Sequence, residues 1–258
     1  MSQSMLSNDE FSRALNEARV ALALEPICNL RQRKVEALVA QVEGTAGFAG
    51  VALEAFALQE GRSRELALHL YDLAAKALKA ARAGGFAGQA YFPLASRDIE
   101  DQTLADSLRQ IAECHSIAPE STALIAPLKD YFATSTTALP ALLRLRFAGF
   151  GLAVAIDNTQ APRFRPLPEL PATALCISGG ETWRRLRTIG PGKLGALGSW
   201  IGWAEAQGLK RIALDIADEA AEETARLYGF PLAAGPRYAA ISWQSAAEGP
   251  GALKRSSG

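Results

Sequence analysis

Long apolar runs, paired cysteines and a surplus of either charge are all missing from this chain of 258 residues. Lysine plus arginine and aspartate plus glutamate number 27 each, so the formal net charge is zero. No bulk field therefore draws the chain to nucleic acid or to an anionic membrane. The three cysteines, Cys28, Cys114 and Cys176, lie far apart without Cys-x-x-Cys spacing. That excludes a disulfide framework, argues against structural zinc and suits a reducing compartment. No apolar stretch is long enough to span a bilayer, and the first residues lack a basic region followed by an apolar run. A cytoplasmic protein is expected, with neither nucleic acid nor membrane as partner. The two histidines, His69 and His115, fall in expected helices without HxxxH or HExxH spacing, so neither supports a metal site or an activated nucleophile. Surface or helix-terminal positions are expected for both.

What is present reads as one folded α/β domain. Hydrophobic residues make up 49% and charged residues 21%, ordinary values for a globular chain. Strand-like runs at 20–27, 34–42, 89–94, 122–126, 152–157, 174–178 and 211–216, with a last one at 231–234 or 238–243, alternate with amphipathic stretches. Leu66, Leu70, Leu73, Ala74, Ala77, Leu78 and Ala81 mark one helical face at steps of three and four. Leu104 and Leu108 mark a second, Leu142 and Leu145 a third, and Trp200 and Ala204 a fourth. Asp218 is placed to cap a helix running to Tyr228, on which Glu219, Glu222 and Glu223 read as a wet face. Seven or eight such units in one domain predict a single (β/α)8 TIM-like barrel. Between the first two strands lies only Arg31-Gln32-Arg33, too short for a parallel crossover, so that pair is expected to be antiparallel. Residues 1–19 read as a helical extension, 20–245 as the barrel and 246–258 as a flexible tail.

Residues 149–178 carry the most specific pattern. A buried-looking strand ends on Asp157-Asn158, a proline-rich stretch follows, and Leu170-Pro171-Ala-Thr-Ala-Leu-Cys176-Ile-Ser178 forms the next strand. This segment resembles the core of EAL domains, the family that hydrolyses the bacterial messenger cyclic di-GMP. There the first strand ends in two aspartates and the second reads Leu-Pro-x-Asp-x-Ile-Lys-Ile-Asp. Glu25-Pro26-Ile27 resembles the family's Gln-Pro-Ile, and Leu214-Asp-Ile-Ala217 resembles its Glu-Gly-Val-Glu. Gly229 and Ala234-Gly235 keep the spacing of its closing glycine and Gln-Gly pair. The resemblance implies an EAL-like barrel, including the antiparallel first strand.

It also implies that nearly all the charges needed for two-metal phosphodiester hydrolysis are gone: of the two aspartates, Asp157 survives and the second is Asn158. The family's metal-binding asparagine corresponds to Pro93, its two central glutamates to Ile125 and Leu128, its lysine to Cys176 and its final aspartate to Ser178. The glutamates of the seventh motif become Leu214 and Ala217. A literal Glu36-Ala37-Leu38 is present, but an ungapped count from Pro26 places the family glutamate on Val39 and its arginine on Glu43; with a shortened turn Glu36 would be in place and the arginine would become Ala40. The implied protein is a catalytically inactive regulatory module in cyclic di-GMP-type signalling, working through a protein partner and using no cofactor. One alternative is a cyclic di-GMP receptor without hydrolysis.

The candidate ligand-binding residues are Asp157 and Asn158 at the strand end, Arg163 and Arg165 beyond it, and Arg184 in Trp183-Arg184-Arg185-Leu186-Arg187. Arginines there suit a phosphate-bearing ligand or an acidic partner, although a solvated, salt-bridged surface is the plainer reading. No catalytic residue and no metal ligand set is assigned. Gly190-Pro191-Gly192-Lys193-Leu194-Gly195 fits GxGxxG, which gives a second alternative, a nucleotide-dependent enzyme. Its context is poor, because no buried strand precedes it and Pro191 removes a backbone donor. Cys176, expected at the barrel mouth, is a candidate reactive thiol without a visible base.

Overall fold

The structure, a computed structural model, describes residues 7–17, 20–45, 48–94, 99, 101, 103–127, 138–156, 172–190 and 194–238. The C-terminal residues expected as a tail and the loop after the sixth strand lie outside them. Strands β1 (Ala21–Asn29), β2 (Lys34–Thr45), β3 (Phe48–Ala49), β4 (Gln89–Pro93), β5 (Thr122–Pro127), β6 (Gly151–Ile156), β7 (Ala174–Ile177), β8 (Lys210–Ala213) and β9 (Leu232–Ala233) form one sheet. Its order is β1-β9-β8-β7-β6-β5-β4-β2-β3, and β1 also pairs with β2, so eight strands close into a barrel with β3 as an outside addition. The helices are α1 (Asn8–Asn16), α2 (Gly50–Gln59), α3 (Ser63–Ala83), α4 (Leu104–Cys114), α5 (Ala138–Phe147), α6 (Gly180–Ile189), α7 (Gly195–Ala206) and α8 (Glu219–Leu227).

The turn between β1 and β2 sets the direction of the first strand. Asn29 Oδ1 accepts from the amides of Arg31 at 2.9 Å and Gln32 at 2.8 Å, and Asn29 Nδ2 donates to Glu36 at 2.6 Å. Arg33 completes the reversal with φ 57°, a left-handed conformation that costs a non-glycine residue about 1 kcal/mol. So tight a reversal leaves only antiparallel pairing, observed with Leu24 opposite Ala40 and Pro26 opposite Leu38. From β2 through β4, β5, β6, β7 and β8 to β9 the barrel pairs are parallel. β9 then meets β1 antiparallel.

Alternation along the strands separates an inner core from an outer shell. Inside lie Ile27, Ala37, Val39, Tyr91, Ala123, Ile125, Ala153, Ala174, Cys176, Ile212, Leu214, Leu232 and Ala234. Several of these are alanine, so the Tyr91 ring enters a space that larger side chains would deny it. The outer shell packs in two parts. One joins α1 to α5 against β1, β2, β4, β5 and β6 around Phe11, Tyr71, Phe92 and Phe150. The other joins α6, α7 and α8 against β6, β7, β8 and β9 around Trp183, Trp200 and Phe230. Trp183 meets Phe230 edge-on with centroids 5.6 Å apart, and its indole donates to the Leu214 carbonyl at 2.6 Å. That bond ties α6 to the end of β8.

Asp218 caps α8 as expected, accepting from the Ala221 amide at 2.7 Å. Strand β8 ends at Ala213, short of the expected Ile216, because the chain turns left-handed at Asp215. His115 ends α4 and pairs with Asp72 at 2.7 Å, whereas His69 lies half-buried inside α3.

The wet helix face expected at Glu219, Glu222 and Glu223 is corrected at its middle member. Glu222 is 3% exposed. Arg237 reaches it at 2.6 Å, Arg226 at 2.7 Å and Arg33 at 3.1 Å, and the Tyr238 hydroxyl donates to it at 3.1 Å. One carboxylate thereby joins the β1–β2 turn, α8 and the segment after β9. Burial pushes its pKa up, but Arg237, Arg33 and Arg226 outweigh burial and hold the carboxyl below the ordinary value of 4.5. A depressed carboxyl stabilises the fold fully above its unfolded value, and the contribution is lost as pH falls through the folded one. Glu222→Gln should lower urea stability at neutral pH by about 2 kcal/mol, and the gap from wild type should close as pH drops below 4.5. Parallel stability profiles for the two proteins would contradict this.

Candidate functional site: the barrel mouth

At the carboxyl ends of the parallel strands the inner wall opens, the usual place for a site on such a barrel. Val39 is 2% exposed on this wall, in register with Tyr91 of β4 and opposite Glu25 of β1. Glu36 lies at the start of β2, at the far end of the barrel, where it accepts from Asn29. The literal Glu36-Ala37-Leu38 is therefore not at the mouth, in agreement with the ungapped count. Glu25, half-buried, shares the inner face with Ile27 two residues along. The Tyr91 hydroxyl also ends inside the barrel, without a hydrogen-bond partner. Burial, with Cys176 adding to it, keeps that phenol un-ionised well above its ordinary range.

The rim continues the same character. Pro93 is exposed beside Ile125, its partner on β5, and Ala155 lies beside Cys176. Ser178 follows β7 and donates its amide to the Ile156 carbonyl at 2.9 Å, which fixes it at the end of β6. Leu214 is 7% exposed, and its amide donates to the Ile177 carbonyl at 2.8 Å. Asp157, Asn158, Arg163 and Arg165 lie outside the described residues, as does Leu128.

One acid at this end is committed to the scaffold. Asp215 takes the Gly179 amide on Oδ2 at 2.7 Å and has φ 58°. In the motif it resembles, glycine holds this position, and the left-handed backbone is what glycine permits most cheaply. Asp tolerates it better than most residues, and its carboxylate locks the loop after β7 to the loop after β8. Gly235 next to it is obligatory, because a Cβ there would collide with the backbone of Ile216.

Beside the mouth, between the starts of α6 and α8, a cleft of about 300 Å³ is lined by Trp183, Arg184, Arg187, Asp215, Asp218 and Thr224. Arg184 is thus brought to a concave surface, although its guanidinium is paired with Glu181 at 2.7 Å and both side chains are exposed. The glycine-rich stretch does not have a phosphate-cradle setting. Gly190 ends α6 and Gly195 begins α7, so a helix precedes the loop where the motif needs a strand. Cys176, the candidate thiol, is fully buried, and burial pushes its pKa up to about 12.

Among the described residues no three His, Cys, Asp or Glu side chains come together as a metal would need. Hard cations require several carboxylate or amide oxygens. Val39, Ile125 and Leu214 offer only carbon, Pro93 has no side-chain oxygen, and Cys176 is a protonated thiol. These positions do not fit a pair of divalent metals.

The EAL domain family model matches residues 8–240, and the chain belongs to the EAL domain family. Similar solved structures include the EAL enzyme Bd1971 in its cAMP- and cyclic-di-GMP-bound form. It is 14% identical with a TM-score of 0.76, over 93% of this chain and 67% of that one. The PaMucR phosphodiesterase in complex with cyclic di-GMP is 16% identical with a TM-score of 0.75, over 92% and 98%. The FimX EAL domain from Pseudomonas aeruginosa bound to cyclic di-GMP is 15% identical with a TM-score of 0.70, over 89% and 93%. At such identities the likeness shows the fold. No curated protein matches the chain. No described helix is long and apolar enough to cross a membrane.

The thiols give a direct check on the wall. Cys28 and Cys176 are buried, with pKa values pushed up to about 11 and about 12, whereas Cys114 is exposed on α4. One thiol per chain should react quickly with an aromatic disulfide reagent at neutral pH, and Cys114→Ser should remove it. Fast reaction of a second native thiol that Cys176→Ser removes would show the inner wall to be open.

Proposed function

We propose that the chain is a non-hydrolysing EAL barrel that acts in cyclic di-GMP-type signalling by binding another protein. The observation that supports this is the inner wall. Val39, Pro93, Ile125, Cys176 and Leu214 occupy positions that resemble the family's metal-binding and catalytic residues, and none supplies a carboxylate. Two-metal hydrolysis needs cations to activate water and to stabilise the leaving oxygen. A wall of this kind gives neither cation a seat. Such a mouth is stable for the same reason that it is inert, since buried acids without a cation would be costly. Of the described acids at this end, Asp215 takes the Gly179 amide, and Glu25 on the inner face brings a single carboxylate, short of the cluster that a pair of metals needs.

A second reading is a cyclic di-GMP receptor without turnover. It draws on the cleft beside the mouth, where Arg184 and Arg187 stand next to Asp215, and on the cyclic di-GMP complexes among the similar structures. Guanidinium groups bind phosphate well, but Arg184 would first have to leave Glu181. Arg184→Ala would abolish nucleotide binding on this reading and leave a protein partner bound on the first.

The test of the main reading is incubation with cyclic di-GMP and magnesium or manganese, followed by chromatography. No linear dinucleotide above the protein-free control is expected. Linear product that disappears on Asp157→Ala would refute it.

A further inference from the structure

On the face opposite the mouth, the β1–β2 turn, the end of α8 and the start of β9 enclose an open groove of about 490 Å³. Its floor is apolar, formed by Leu30, Phe230 and Pro231, and its sides carry Arg31, Arg33 and Arg226. Beside Arg226 at the helix end, Leu227 is 65% exposed, one of the few large apolar side chains described at the surface. Arginine beside an aromatic is a composition enriched where proteins dock.

The charge here is not balanced. Arg33 and Arg226 both turn to Glu222, which Arg237 also holds. Arg31 uses its backbone amide on Asn29 and its guanidinium has no partner among the described residues. Of the acids nearby, Glu36 is engaged by Asn29 Nδ2, and Glu219 faces Arg237 at 3.8 Å. Arg226 spends one nitrogen on the Leu30 carbonyl and Glu222, and Arg33 one on Glu222. Each guanidinium has five N–H donors, so most of them remain for a ligand.

We propose that this groove docks an acidic segment of a partner protein. An aliphatic or aromatic side chain of the segment rests on the Leu30–Phe230–Pro231 floor, and flanking carboxylates meet Arg31, Arg33 and Arg226. A phosphate alone would make no use of that floor or of Leu227. Nucleic acid would need a longer basic track than three arginines on a chain of zero net charge. The assignment rests on the reading that the chain works through a protein partner, and it names the surface and the chemistry of that contact.

The test is fluorescence anisotropy of a labelled peptide, Glu-Asp-Glu-Leu-Phe-Asp-Glu, titrated with the full chain. Saturable, salt-sensitive binding is expected, weakened about tenfold or more by Arg31→Glu and unchanged by Arg109→Glu on α4. Replacing the acids by lysine should abolish binding, and replacing Leu-Phe by Ser-Ser should weaken it about tenfold. Arg31 supports no other described side chain, so this variant should fold, which its unfolding transition verifies. Absence of saturable binding, or equal affinity for the Arg31→Glu protein, would overturn the proposal. So would complete displacement by millimolar orthophosphate, which would mark a bare anion site. A dimer dissolved by Arg31→Glu in sedimentation would assign the groove to a second copy and overturn it too. The outcomes separate from those of the hydrolysis assay. A hydrolysing chain that binds the peptide keeps the groove and loses the functional reading, and an inert chain that does not bind it loses only the groove.

Discussion

Closure of this barrel depends on the reversal at Asn29–Arg33, where a few backbone and side-chain bonds make β1 run against β2. A strand's side chains alternate with a period of two, so sliding β2 by one residue would turn its whole inner set outward. The observed pairing of Glu25 with Val39 and of Val39 with Tyr91 puts Val39 inside and leaves Glu36 at the far end. Which β2 side chain faces the mouth, Val39 and not Glu36, is thus decided at a turn on the opposite face. Glu222 reinforces the same point from outside, since Arg33 of the turn, Arg226 of α8 and Arg237 after β9 all converge on it.

A described inner wall made largely of alanine, valine, isoleucine and leucine, with an un-ionised cysteine and only Glu25 as an acid, has consequences for stability and chemistry together. It removes the repulsion that a cluster of carboxylates would bring to a low-dielectric interior. It equally removes the oxygens that would gather cations. Backbone geometry is kept at this end: Asp215 adopts a left-handed turn and Gly235 the close approach to Ile216. The barrel therefore retains the form of its family, with Asp215 tying the loop after β7 to the loop after β8.

Much of the fold was legible because the strand runs and the glycine positions keep their spacing. The antiparallel first pair followed from turn length alone, the helix faces of α3 and α4 from their period, and the start of α8 from its Asp218 cap. Helix α2 was not visible: Val51, Leu53, Phe56 and Leu58 leave no polar stripe to set a phase. Helix α6 was obscured by its arginines, since only Trp183 and Leu186 mark its buried side. Glu222 was unreadable as a buried charge because Arg33 and Arg237 come from distant segments, and nothing local on α8 announces them. Of the candidate ligand residues only Arg184 falls among those described, and its pairing with Glu181 at i,i+3 could have been read from the helix. The cleft it lines with Asp215 depends on the barrel's closure and could not.

On the proposed reading, the mouth of this EAL barrel seats no divalent cation. Thermal unfolding with and without sub-millimolar manganese, alone and together with cyclic di-GMP, tests it most directly, because any tight ligand must stabilise the native state that binds it. The account expects a melting temperature that manganese leaves unchanged in both conditions. A saturable, manganese-dependent rise that Asp157→Ala removes would contradict it.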